Sequence, residues 1–134
     1  MVSSAYNQLV SLLANYSKIL PISTFPYIPF IIASVSQSMA WVAGPIYLKS
    51  LSLIPRIFFL LLFAVGEYTF MAPAMNASVE VLHMTEPYLV VMYQALTLCV
   101  FMFMNVFIFK NPFQLKYVVS SFFLIIAVYI ASVY

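Results

Sequence analysis

RIFFLLLFAVGEYTFMAPAMN, residues 56–76, decides the class of this protein. After Arg56 its first half is uninterrupted hydrocarbon. It then places a carboxylate, Glu67, inside a run long enough to cross a bilayer. About 20 apolar residues span roughly 30 Å of hydrocarbon as a helix. Backbone groups find no water there, so the segment must satisfy its own hydrogen bonds. An ionisable side chain in such a place is expensive and needs a reason.

The rest of the chain agrees with that reading. Of 134 residues, 66% are hydrophobic and 6% charged. A soluble domain carries about 25% charged residues, so the solvent of this chain is lipid. Three further apolar runs flank the first, giving spans at about 28–48, 55–75, 87–109 and 112–133. The expected fold is all-α: four transmembrane helices in an antiparallel bundle, residues 27–134, preceded by an amphipathic segment, residues 1–26. Short connections predict that neighbours in sequence pack side by side. Pro55 opens the second span. Thr85 and Asn111, each followed within two residues by proline, read as N-caps of the third and fourth.

The N-terminal segment has a different pattern. Leu9, Leu12, Leu13, Tyr16 and Leu20 fall on one helical face, and Asn7, Ser11, Asn15 and Lys18 on the other. That spacing predicts an amphipathic helix lying in the membrane interface, with Ser3 or Ser4 as its cap. Pro21, Pro26 and Pro29 then break it.

Charge placement predicts a topology. Lys49 and Arg56 lie between spans one and two, and Lys110 and Lys116 between three and four. The second connection holds Glu80, His83 and Glu86 and no lysine or arginine. The positive-inside rule puts the two basic connections in the cytosol and both termini on the other side. The N-x-S sequons at Asn15 and Asn76 then face outward. Tyr27, Tyr47, Tyr88, Tyr117 and Tyr134 mark span ends.

Several classes of function are excluded by what the chain contains. One cysteine, one histidine and three acids offer no metal cluster and no internal disulfide. No phosphate-cradling or zinc motif occurs, and no nucleophile–base pair is visible, so neither a cofactor nor an enzymatic activity is expected. A net charge of +2 is no nucleic-acid footprint.

The polar residues inside the spans are the candidate site. Burial in hydrocarbon penalises the charged form of Glu67, which suits a group that binds and releases protons. The alternative is a protonated Glu67 that holds helices together. Span one offers Ser34, Ser36, Gln37, Ser38 and Trp41. These read either as close-packing hydroxyls or as the wall of a substrate path, with Trp41 as a platform for a cation. In span three, Gln94 and Thr97 share a face and are candidate partners of Glu67; Asn105 lies further on. Span four is nearly featureless and reads as an oligomer contact. Pro73 is expected to kink or end the second helix beyond Glu67, and Pro45 acts likewise at the inner end of the first. Both are candidate hinges.

EYTFMAPAMN, from Glu67 on, resembles the Glu-Tyr-x-x-x-x-Pro-Ala-x-x signature of a small four-helix membrane family of unknown function. That family is grouped with the drug/metabolite transporter superfamily. Glu67, Tyr68, Pro73 and Ala74 match, and an asparagine follows one place late as Asn76. MYQALTLCVF is similar to the family's third helix, with Gln94 at its glutamine and Ala95 where an acid is usual. MAW and Lys49 resemble the first helix, with a longer gap and without the family's histidine. IAVYIAS fits the end of the fourth. The likeness covers residues 28–133 and leaves 1–26 as an extension. It implies a fold like the small multidrug transporters, which work as dimers and exchange protons for substrate at a membrane glutamate. Their glutamate is on the first helix; Glu67 is on the second.

Two functions follow as expectations. One is a small transporter-like membrane protein, acting as a homodimer or larger assembly. Glu67 binds a proton or cation, and Gln94, Ser38 and Trp41 line the path of a small molecule or cation. The other is a structural or accessory protein of a cellular or viral membrane assembly, held among membrane-protein partners without transport.

Overall fold

The computed structural model describes residues 2–133. It has five α-helices and, among the described residues, no strand. Helix α1 (Val2–Ser17) and a single 3-10 turn (Ile22–Thr24) precede α2 (Tyr27–Ile46), α3 (Leu53–Glu80), α4 (Glu86–Phe103) and α5 (Leu115–Val133). Four of these elements are long and apolar enough to cross a membrane. Tyr134 lies outside the described residues.

Helix α2 is the centre of the bundle. It packs on α3 along one side and on α4 along the other, and α5 packs chiefly on α4. Helices α3 and α4 are consecutive, yet they barely meet. The expected side-by-side packing of every sequence neighbour therefore fails at this pair. The reason lies in the side chains of α2. Small residues on one face admit α3, and a separate polar and aromatic face receives α4.

The α2–α3 contact is close because of Gly66. A Cβ there would lie 3.0 Å from the Ser36 hydroxyl oxygen. Gly44, further along, leaves room for Leu60. Small residues at such crossings let backbones approach and gain dispersion contacts. Gly66→Leu is therefore expected to wedge α2 from α3 and cost about 1–3 kcal/mol, measured by detergent-titrated unfolding. Gly66→Ala should be tolerated when Ser36 is also alanine, because the obstructing oxygen is then gone.

The α2–α4 contact is parallel. Tyr27 meets Tyr88 (hydroxyls 3.3 Å apart), Phe30 meets Tyr93, Ser34 meets Thr97 and Trp41 meets Phe101. Both numbers rise together, as they must when one antiparallel span separates the two helices.

Helix α1 buries the face its sequence predicts up to Tyr16; Leu20 lies past the helix end and is exposed. Leu13 is in the core cluster with Phe25, Ala74 and Ala77, and Leu9, Leu12 and Tyr16 pack against it. Asn7, Ser11, Asn15 and Lys18 are exposed. Ser3 and Ser4 lie inside the helix, which already runs from Val2, so neither is its cap.

The helix ends differ from expectation in three places. Helix α3 neither stops at Pro73 nor shortly after it, but continues to Glu80. At 1.5 Å per residue it is about 42 Å long. In hydrocarbon the backbone has no partners except its own, so continuing past one lost bond is cheaper than stopping. Pro45 does sit at a helix end, one residue before the last of α2. Thr85 is the N-cap residue of α4, but its side chain makes no capping bond. The fourth helix starts at Leu115 and not at 112, because Asn111 serves another purpose. Its Nδ2 donates to Asn105 Oδ1 (2.6 Å) and its backbone N–H to the Asn105 carbonyl (3.0 Å). These bonds close a π-helical turn, Met104–Ile108, that ends the third span.

At the basic end, Arg56 fastens the connection between α2 and α3. Its guanidinium donates to the carbonyls of Leu48, Lys49 and Leu51 at 3.1, 2.8 and 3.3 Å. The forked donor set of arginine suits such a cluster of carbonyls.

Candidate functional site

Where α3 and α4 fail to pack, one polar bond joins them. Tyr93 donates its hydroxyl to Glu67 Oε1 at 2.8 Å. Tyr93 is 3% exposed, and its ring stands edge-on to Phe30, centroids 5.1 Å apart. Phe30 is itself fully buried on α2. The carboxylate is thus held at the seam of three helices by the hydroxyl of a buried ring. Glu67 is only partly buried, and among the described residues Tyr93 is its one hydrogen-bond partner. Its second oxygen is left for a proton, water or ligand.

Just beyond this bond, α2 carries polar atoms without partners. Gln37 Oε1 and Ser38 Oγ are buried and make no hydrogen bond. Several hydroxyls of the spans return to the carbonyl four residues back, as Ser34 does to Phe30 (2.7 Å) and Ser78 to Ala74 (2.7 Å). Ser38 does not. An unpaired polar group away from water costs about 1–3 kcal/mol. Gln37 and Ser36 are adjacent on α2, and Ser36 faces Gly66, the residue before Glu67. Gln37 therefore lies at the depth of the carboxylate.

The residues expected to serve Glu67 are distributed differently. Thr97 is buried and bonds to Ser34 Oγ at 2.9 Å, closing the α2–α4 contact. Gln94 is exposed. The two do not act together, because Thr97 belongs with Leu89 and Tyr93 on the face toward α2, which repeats at i, i+4 and i+8. Gln94 lies on the same face as Phe101, seven residues on, and the Phe101 ring meets Trp41 at 5.4 Å. Trp41 is 47% exposed. Gln94 and Trp41 are thus on the outside of the bundle, while Ser38 is fully buried on α2. Tyr93 was not among the candidates from sequence. A tyrosine in a membrane protein reads first as an interfacial anchor, and the available signal was its place in the Leu89–Tyr93–Thr97 row. Pro73 is on α3 beyond Glu67, and Pro45 is near the far end of α2.

Among the described residues no group of histidine, cysteine and acid side chains is arranged to hold a metal.

Four apolar spans with a carboxylate at their seam define a small multi-pass integral membrane protein. Residues 27–132 match the family described as "Putative member of DMT superfamily (DUF486)", and the chain belongs to that family. No curated protein and no solved structure gives a significant match. The matched region begins at the first residue of α2, so α1 and the turn after it stand outside the family's common part.

Proposed function

We propose that this protein is a small transporter of the drug/metabolite type, coupled to a proton or cation through Glu67 and acting as an oligomer. The observation that carries this reading is the Glu67–Tyr93 bond at a poorly packed seam inside the spans. A carboxylate with one fixed and one free oxygen can change its protonation without dismantling the bundle. Gln94, Trp41 and Ser38 line the path for a small molecule or cation. The ring of Trp41 offers a cation its negative face. Four helices enclose little volume, so the open side between α3 and α4 is completed by a second copy. Pro73 and Pro45 permit the helices to rock between two access states. The basic connections face the cytosol and the termini face away from it.

The test is a carboxyl infrared titration in bilayers, wild type against Glu67→Gln. A band assigned to Glu67 that titrates between about pH 6 and 8 supports the reading. A carboxyl that stays protonated throughout means a sealed structural bond and sinks it.

One observation favours a structural or accessory role instead. Helix α5 has no buried residue and packs chiefly on α4. A helix so little held invites a membrane-protein neighbour. In that case the protein is a subunit of a larger membrane assembly, and Glu67 only fastens α3 to α4.

A further inference from the structure

Between α1 and the bundle lies a cleft of about 430 Å³. Leu12 and Tyr16 of α1 and Phe25 of the following turn form one wall; Ile32 of α2 and Thr69 and Phe70 of α3 form the other. One wall is therefore built by the extension and the other by the family's common part. The size falls within the range of small-molecule sites.

The chemistry of the lining names the occupant. Only two side-chain hydroxyls face this region, and both are already used. Tyr16 pairs with Thr24 at 2.6 Å, and Thr69 donates to the Val65 carbonyl at 2.6 Å. Everything else is hydrocarbon. An occupant gains nothing from polar atoms at this depth and gains from every methylene it buries. An extended or irregular peptide would bring backbone groups that the cleft cannot satisfy.

One cation is close by in the chain. Lys18 comes two residues after the lining residue Tyr16 and one before Ile19, and it is exposed. Its Nζ is steadied by Asn15 Oδ1 at 3.3 Å, which leaves ammonium protons for another acceptor. No acidic residue occurs in the chain before Glu67. Residues 1–26 thus carry one lysine and no acid.

We propose that the cleft binds one acyl chain of an anionic phospholipid, with the lipid phosphate on Lys18. The lipid fastens α1 to α2 and α3, and this site is independent of any transport through Glu67.

Native mass spectrometry of the full chain tests it, with phosphatidylglycerol and phosphatidylcholine of matched chains as probes. Wild type should retain one lipid through delipidation and prefer phosphatidylglycerol. Ile32→Trp fills the cleft and should lower retention of both lipids by about tenfold or more. Lys18→Gln should keep the chain site but lower the preference for phosphatidylglycerol by about fivefold. No retained lipid, or equal retention in Ile32→Trp, overturns the site. Equal retention of the two lipids by wild type overturns the role of Lys18. Should Ile32→Trp fail to fold, wild type is labelled with a phospholipid carrying a photoreactive acyl chain. Label on Ile32 or Phe70 supports the proposal, and label confined to α5 defeats it.

Discussion

Tyr93→Ala is expected to destabilise the bundle by about 3–5 kcal/mol, the cost of deleting a buried aromatic ring. The ring fills the space between Phe30, Leu89 and Met92, all buried. It also carries the bond to Glu67 that joins α3 to α4. Tyr93→Phe separates the two contributions. It keeps the ring and removes only the bond, and interhelical hydrogen bonds in membrane bundles average about 0.6 kcal/mol. Detergent-titrated unfolding of both variants checks the pair. A loss in Tyr93→Phe as large as in Tyr93→Ala would mean that the hydroxyl, and not the ring, holds the seam.

Glu67→Gln is expected to leave that seam standing and to abolish proton coupling. The glutamine carbonyl still accepts from the Tyr93 hydroxyl in the place of Oε1, so assembly and melting should be nearly unchanged. Glu67→Leu differs, because it strands a buried hydroxyl at a cost of about 1–3 kcal/mol. Adding Tyr93→Phe to Glu67→Leu removes both partners and should recover most of that loss, a coupling that a double-mutant cycle isolates. The functional readout is uptake of a lipophilic cation, tetraphenylphosphonium, into proteoliposomes under an imposed pH gradient. Wild type should accumulate it. Glu67→Gln should fall to the level of protein-free liposomes while keeping wild-type stability. Accumulation that persists in both Glu67 variants takes Glu67 out of the mechanism. Accumulation by none of the proteins, joined with the predicted stability pattern, favours the structural reading.

The contrast between those variants shows why the site was only half legible in the sequence. A single carboxylate in RIFFLLLFAVGEYTFMAPAMN announces itself, because hydrocarbon makes charge conspicuous. Its partner does not. Tyrosine is common in this chain, with ten copies, and nothing local separates a tyrosine that anchors at the interface from one buried at 3% exposure. Gln94 and Thr97 looked better as partners because they are more polar. The packing of α4 on α2 turned Thr97 toward Ser34 and left Gln94 on the outside of the bundle.

The sequence by itself determined the class, the four spans, the amphipathic face of α1 and the presence of a membrane carboxylate. Each follows from hydropathy, helical period or the cost of charge in lipid, which depend on residues near one another in the chain. Only the tertiary structure decided that α2 stands in the centre, that α3 and α4 meet sparsely with one hydrogen bond between them, that α3 runs through Pro73, and that α1 closes a cleft against α2 and α3. Those outcomes rest on which side chains of distant helices fit together. Gly66 admits Ser36, Thr97 reaches Ser34, and Tyr93 fills the space beside Phe30 before it reaches Glu67. Steric fit between helices has no period that a single chain displays, because it belongs to pairs of surfaces and appears only when they are brought together.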